Sequence, residues 1–400
     1  MAMDSGFGFR EKIFPNTDTG HLLLATDHSK ALIHHTAVPQ QRAGMDLKIV
    51  IAGGGTGGHL FPGIAAAQEF HHLGAAVTFL TTPKSVTPQI LERYGFPWEA
   101  VASRALKGQG LWSKVRTLGS LPGSIWEAKA RLKTLAPQLV LGMGGYASGP
   151  VGAAAYLSGI PLAIHEQNAI PGVANRWLAK IAQRVFLSFP DAGGYFPRDR
   201  AVWTGNPIRA EFFAPRPDRP TRPFTMLLMG GSQGAHSINM AALAALPLLT
   251  DIREQLHFLH ITGDQDREEV AAGYQKAGFA ADVAAFTPEV AAWMSRSHLL
   301  VCRAGASTLA ELTAVGRAAL LVPFPFAANN HQEFNARFLA EKSAGELILN
   351  KDFTGEILAG KIKHLISRPE ILAAMETASR SLAKPDAAKE IVQGCLELII

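Results

Sequence analysis

A chain of 400 residues, 48% hydrophobic and 18% charged, can bury a sizeable core and is longer than one domain ordinarily needs. Its net charge of +5 favours phosphates or an anionic membrane surface as partners but is too small to demand nucleic acid, so no nucleic-acid partner is expected. Cys302 and Cys395 form neither a CxxC pair nor a disulfide framework, which suits a reducing compartment and argues against structural zinc; no apolar run reaches the ~18 residues of a spanning helix.

Residues 1–44 have short apolar stretches broken by Asp, His and Lys, so they fail as a signal peptide. They are expected to be a disordered extension or an upstream reading of the true start, because Met45 is followed at once by the first convincing strand. "LKIVIAGGGTGGHLFPGIAAAQEF" (47–70) then reads as strand, glycine turn and helix. Gly53, Gly55 and Gly58 satisfy GxGxxG, but "VTFLTTPKS" (77–85) lacks the carboxylate that a dinucleotide site places on the next strand. The Lys-Ser/Thr ending of a Walker loop is also missing. What remains is a turn whose backbone can meet an anion at a helix start, or glycines that merely allow tight packing. His59 at its mouth is a candidate general base or a plain capping residue.

"RALKGQGLWSKVRTLGSLPGSIWEAKARLK" (104–133) carries seven basic residues, one acid and two tryptophans. Leu111, Trp112, Leu118 and Trp126, with Lys114 and Arg116, read as a peripheral membrane surface or as core beneath a basic face. "LVLGMGGYASGP" (139–150) brings Gly142, Gly144 and Gly145 to another strand end, and "IHEQNAIPGVANRWLA" (164–179) follows the next strand. His165 and Glu166 there suit a hydrogen-bonded loop or a functional role; Gln167 and Asn168 suit hydroxyl recognition.

The proline-dense "TGNPIRAEFFAPRPDRPTRPF" (204–224) makes a natural hinge, after which "FTMLLMGGSQGAHSINMAALAALPLL" (224–249) repeats the strand, glycine turn and helix. "GGSQG" (230–234) formally matches the nucleophile elbow of serine hydrolases, but it opens a second Rossmann-like half and no HGGG segment precedes it, so Ser232 reads better as a phosphate ligand. "DQD" (264–266) imitates a metal-binding DxD and is expected to be a solvated helix start. In "HLLVCRAGASTLAELTAVGRAALLVPFPFAANNHQEFNARFL" (298–339), a strand delivers Arg303, Gly305 and Ala306 to a turn. Ser307 or Thr308 is expected to cap a helix carrying Glu311, which can accept from a ribose diol or serve as a structural cap. His331, Gln332 and Asn335 follow the next strand with side chains suited to sugar hydroxyls. The expected architecture is α/β: two Rossmann-like domains with parallel sheets facing across a cleft.

The segments "GGGTGGHLFPG", "GMGGYASGP", "HEQNAIPGVANRWLA", "TGNPIR", "GGSQGAHSIN", "CRAGASTLAEL" and "HQEFNA" stand in the order seen in the MurG family of peptidoglycan N-acetylglucosaminyltransferases, which the chain strongly resembles from Met45 to about Lys342. The resemblance implies a GT-B fold and inverting transfer of N-acetylglucosamine from UDP-GlcNAc to the 4-hydroxyl of the muramoyl residue in undecaprenyl-linked lipid I, giving lipid II. It implies an acceptor-binding and membrane-associating domain over 45–208, a UDP-GlcNAc-binding domain over 209–383, and a C-terminal helix over about 384–400 that packs back on the first.

By the same resemblance, Ser232 and Gln233 go to the pyrophosphate or sugar, Glu311 to the ribose, and Arg303, Ala306, Ser307 and Thr308 to the nucleotide pocket. Arg209 falls at the hinge, and His331 with Gln332 reads the sugar. Thr56, Gly57 and Asn168, on the acceptor side, join the residues addressing UDP-GlcNAc, while Gly55, Gly58, Gly144 and Gly145 receive the acceptor diphosphate. His59 is the candidate catalytic base. No tightly bound cofactor and no metal are implied; the partners are UDP-GlcNAc, lipid I, an anionic membrane surface and other cell-wall synthesis proteins, at the cytoplasmic face of the inner membrane. The chain departs from the family at His331, where many relatives have glutamine, and at Thr287 in "AFTPEV", where an aliphatic residue is expected near the uracil. The rival readings are another GT-B transferase with a different glycolipid acceptor, a UDP-sugar epimerase, and a nucleotide-sugar sensor; oxidoreductase and hydrolase readings stand further off.

Overall fold

The computed structural model describes residues 47–54, 57–82, 87–101, 111–214, 222–231 and 233–399, without the side chains of 111–120, 191 and 193. The extension 1–44 and the site candidates Gly55, Thr56 and Ser232 lie outside the described residues, as do the side chains of Leu111, Trp112, Lys114, Arg116 and Leu118.

Among the described residues, the first half comprises β1 (Lys48–Ala52), α1 (Gly57–His72), β2 (Ala76–Thr81), α2 (Thr87–Arg93), β3 (Trp98–Ala100), α3 (Leu111–Leu135), β4 (Leu139–Gly142), α4 (Gly145–Leu157), β5 (Leu162–Glu166), α5 (Val173–Leu178), β6 (Arg184–Leu187) and β7 (Ala201–Trp203). The second comprises β8 (Phe224–Met229), α6 (His236–Ala245), β9 (Leu256–Ile261), α7 (Arg267–Ala277), β10 (Ala280–Ala284), α8 (Val290–Arg296), β11 (Leu299–Cys302), α9 (Ala306–Val315), β12 (Ala318–Leu321), α10 (His331–Glu341) and β13 (Glu346–Leu347). Helices α11 (Gly355–Ser367), α12 (Pro369–Ser381) and α13 (Ala387–Leu396) close the chain.

The sheets run in the orders β3-β2-β1-β4-β5-β6-β7 and β10-β9-β8-β11-β12-β13, with parallel pairing across β1, β2 and β4 and across β8, β9 and β11. A parallel sheet with helices on both faces must be apolar on both, and β1 obeys this. Ile49 and Ile51 enter the core that includes Leu60, Ile64 and Phe70 of α1, while Val50 and Ala52 face Val151 and Ala154 of α4. In β8, Met226 and Leu228 face Ile238 of α6 and Leu358 of α11, whereas Leu227 and Met229 face Leu309 of α9 and Ala336 of α10. Helix α13 follows the second half in the chain, yet its Ile391, Val392 and Cys395 are buried in the core of the first, against Phe70 and Phe186.

This topology places the site. In each sheet the strand order reverses direction beside the first strand, between β1 and β4 and between β8 and β11. Such a switch point opens a crevice at the carboxyl ends of the strands, and each crevice here is lined by glycine-rich turns.

Candidate functional site

In the first half, the turn after β1 and the turn after β4 interlock. A Cβ on Gly53 would lie 2.8 Å from Met143 Cβ, and one on Gly145 would lie 2.7 Å from the Gly54 carbonyl oxygen. Gly144 has φ 80, and its missing Cβ leaves room for the His59 ring: the added atom would stand 2.9 Å from Cδ2 and 3.2 Å from Nε2. Gly144 and Gly145, expected at an acceptor diphosphate, thus seat the imidazole of the candidate base. Gly57 and Gly58 are exposed in the first turn of α1. Helix α4 has neither a side-chain cap at Gly144 nor an acid in its first turn, so its leading N–H groups can meet an anion.

His59 is half-buried, and its pKa is lowered to about 4, first by burial and then by His331 across the cleft. It is therefore neutral at pH 7 and able to accept a proton. Behind it, Gln167 Nε2 donates to the Met143 carbonyl at 2.9 Å and to His165 Nδ1 at 2.9 Å. A carbonyl only accepts, so the Gln167 amide can face only this way, and His165 must carry its proton on Nε2, which donates to Gly205 O at 3.1 Å. Burial lowers the His165 pKa to about 4, keeping Nδ1 an acceptor. Gln167 Oε1 is left buried with no partner among the described residues, 3.4 Å from the same Gly144 Cβ position that the His59 ring crowds.

Glu166 is buried, which raises its pKa against the pull of the Asn168 N–H at 3.0 Å, Asn175 Nδ2 at 2.9 Å and the Gly172 N–H at 3.0 Å. His165 and Glu166 are the last two residues of β5 and not part of a loop, and both are held in the hydrogen bonds just described.

The second half is built from charges. Glu311 lies on α9, 3.6 Å from Arg209 Nη2, while Arg209 Nη1 reaches Glu211 at 2.9 Å. The same guanidinium stands 5.3 Å from the Phe61 ring of α1 and 4.9 Å from Phe212, so Arg209 joins the halves through an aromatic of the first glycine-turn helix. Burial raises the Glu311 pKa to about 7, with Arg209 opposing. Arg303 is buried: Nη1 donates to Val322 O, Pro323 O and Asn350 Oδ1 at 3.1, 3.0 and 2.8 Å, and Nη2 to Ser237 Oγ at 2.9 Å. Its guanidinium ties the turn after β11 to the turn after β12 and to the start of α6.

Three expectations need correction. Helix α9 has Gly305 as its N-cap with no side-chain cap bond, so neither Ser307 nor Thr308 caps it; Ser307 Oγ instead accepts from Asn206 Nδ2 of the first half at 3.4 Å. Asn335 is buried between the halves and does not reach sugar hydroxyls. In "DQD", Asp264 and Gln265 are exposed ahead of α7, as expected of a solvated helix start, and only Asp266 departs: Asn239 Nδ2 donates to it at 2.7 Å and His236 meets it at 3.1 Å, fastening the start of α6. Among the described residues, no group of three His, Cys, Asp or Glu side chains is placed to hold a metal ion.

Ala306 is buried at the start of α9, Thr308 is half-buried, and Gln233 is exposed in the turn before α6. His331 and Gln332 open α10: the His331 Nδ1–H donates to Ala328 O at 2.8 Å, and Gln332 Oε1 accepts from the Phe324 N–H at 2.9 Å. Asn168 is half-buried, and Trp126 on α3 is 74% exposed. The structure therefore brings His59, Asn168, His331 and Gln332 to one seam and sets Glu311 with Arg209 beside it. The sequence analysis did not single out Phe61 or Asn206 as site residues; of the two, only Phe61 carried a usable signal, an aromatic two residues past His59 on the same helix start.

Two parallel-sheet halves meeting at their switch-point crevices define the GT-B class of glycosyltransferase folds. The glycosyltransferase family 28 N-terminal domain matches residues 49–187 and the family 28 C-terminal domain residues 225–391. A protein of Syntrophus aciditrophicus (strain SB) described as "UDP-N-acetylglucosamine--N-acetylmuramyl-(pentapeptide) pyrophosphoryl-undecaprenol N-acetylglucosamine transferase" is 43% identical over 359 residues, covering 89% of this chain and 99% of the relative. The crystal structure of Acinetobacter baumannii MurG superposes with a TM-score of 0.72 at 31% identity, covering 88% of this chain and 99% of that one. A UDP-N-acetylglucosamine 2-epimerase structure, at 15% identity, TM-score 0.63 and coverage of 88% of this chain and 96% of its own, shares the fold alone. The chain belongs to the MurG family, within glycosyltransferase family 28.

Proposed function

We propose that this chain transfers N-acetylglucosamine from UDP-GlcNAc to the 4-hydroxyl of the muramoyl residue of lipid I, giving lipid II with inversion at the anomeric carbon. The observation that carries the reading is a neutral imidazole, His59, seated at the acceptor-side turns and electrostatically coupled to His331 of the donor-side loop. His59 takes the acceptor hydroxyl proton as the acceptor oxygen bonds to C1. The C1–O bond to the β-phosphate breaks, and its electron pair leaves with UDP. A pKa of about 4 makes a weak base, but a diphosphate nearby would favour the imidazolium and move it towards working pH. The leading N–H groups of α6 and α9, both without side-chain caps, are suited to the charge that develops on UDP.

Glu311 is the ribose ligand in this reading, Gln233 and Gln332 address the diphosphate and sugar, and no tightly bound cofactor is required. The membrane partner is an anionic surface at the cytoplasmic face, met by α3 with Trp126 and the Leu111–Arg116 turn. Other cell-wall synthesis proteins are its expected neighbours. The test supplies labelled UDP-GlcNAc with a short-chain lipid I analogue. A β-linked disaccharide product supports the reading; tight UDP-GlcNAc binding with no product, or release of the 2-epimer, would overturn it.

A further inference from the structure

Asn335 lies on α10, one turn beyond Gln332, and is fully buried. Its Oδ1 accepts from the Ala169 N–H of the first half at 2.9 Å, and its Nδ2 donates to Ala304 O of the second half at 3.1 Å and to Asn168 Oδ1 at 3.2 Å. A backbone N–H only donates and a backbone carbonyl only accepts, so turning the amide over would set donor against donor and acceptor against acceptor. The backbone of both halves fixes the Asn335 amide in one orientation. Phe338, one turn further along α10, meets Phe189 of the first half edge-on at 5.3 Å and holds the helix in this place.

We infer that Asn335 is a positioning residue that sets which face of the Asn168 amide addresses the cleft. With Asn335 Nδ2 presented to it, Asn168 must turn its oxygen inward. Its own Nδ2 then points away from Asn335, towards Glu166 Oε1 at 3.4 Å, a long contact that leaves N–H capacity unspent. Asn168 therefore offers a donor, and it selects a ligand oxygen with a lone pair: a phosphate oxygen, a sugar hydroxyl or an acetamido carbonyl. The orientation comes from the donor-sugar helix and is used on the acceptor side. Specificity on one side of the cleft thus depends on the other side being docked. This inference rests on the proposed transfer reaction.

A double-mutant cycle tests it. Asn335→Asp keeps the acceptor for Ala169 and loses both donors, so Asn168 is no longer held. The expected result is a fall of about 10-fold or more in kcat/KM for transfer to the lipid I analogue, and a fall of no more than about 3-fold when the same change is made in Asn168→Ala. UDP affinity in the Asn335→Asp variant should stay within about 3-fold of the parent. Equal losses in the two backgrounds would reduce Asn335 to a structural residue and overturn the inference. If Asn335→Asp does not fold, Asn335→Ala runs the same cycle with the same expectations. Absence of product from the parent protein would instead sink the transfer reading, so the two failures are distinguishable.

Discussion

The two crevices share a topology and differ in what fills them. The first is built from neutral groups: His59, His165 and Gln167 are held by backbone carbonyls and packed glycines, with burial suppressing charge on both imidazoles. The second is built around guanidinium ions: Arg209 with Glu211 and with Glu311, whose own charge burial opposes, and Arg303 among four oxygen acceptors. A group that must take up a proton has to be uncharged beforehand, and burial beside carbonyls keeps it so. A wall held by a guanidinium that donates to four oxygens of its own scaffold is fixed in place. The same strand, turn and helix grammar therefore carries opposite electrostatics in the two crevices.

Four experiments would break or sharpen that contrast. The largest effect is expected for His59→Ala, a loss of ~10²- to 10⁴-fold in kcat with UDP affinity retained; a collapse of UDP binding in calorimetry would merge the two crevices into one. Next comes acid. His59 and His165 both have folded pKa values lowered to about 4, so the unfolded chain binds protons first as pH falls below 6.5. Their stabilisation is full above that pH, and about 2–3 kcal/mol from each is lost by pH 4.5 in denaturant titrations. A flat profile from pH 7 to 4.5 would contradict the neutral-group account.

Arg303→Met should cost about 2–4 kcal/mol in global stability, because it strands the Val322 and Pro323 carbonyls that now share one cation, while Asn350 Oδ1 keeps the Ser237 hydroxyl at 2.7 Å. A change in catalysis without a change in melting temperature would mean that Arg303 touches substrate after all. The smallest effect is expected for Glu311→Gln. The folded pKa of Glu311 is raised to about 7, so its contribution is present at low pH and lost as pH rises through 7. The glutamine variant should gain about 1–3 kcal/mol over the parent at pH 8 and nothing at pH 4.5, by thermal melts without ligand.

Much of this was legible in the sequence because it is local. Apolar runs ending in glycine turns specify parallel strands and their crevices, and "GGGTGGH" with "GMGGY" put the correct two turns side by side. The rest depends on partners far along the chain. Asn335 looks like a sugar-reading amide beside Gln332, and only its contact with Ala169, from the other half, makes it a buried brace. Asp266 in "DQD" resembles an exposed acid until Asn239, from the preceding helix, is placed against it. Gly305 takes the N-cap position in place of Ser307 or Thr308 because the strand delivers the turn already extended there, with φ -67 and ψ 140. No spacing rule reaches these contacts, since each is set by how a second element lands on the first.

Helix α13 has a consequence for how the molecule is made. Ile391, Val392 and Cys395 are synthesised after the whole second sheet, yet they complete the core that β1 and α1 begin. A nascent chain can assemble the first sheet and its glycine turns early, but Phe70 and Phe186 gain their final covering only when synthesis has passed α13. The first half is therefore finished after the second, and removing α13 would leave its core with an open seam.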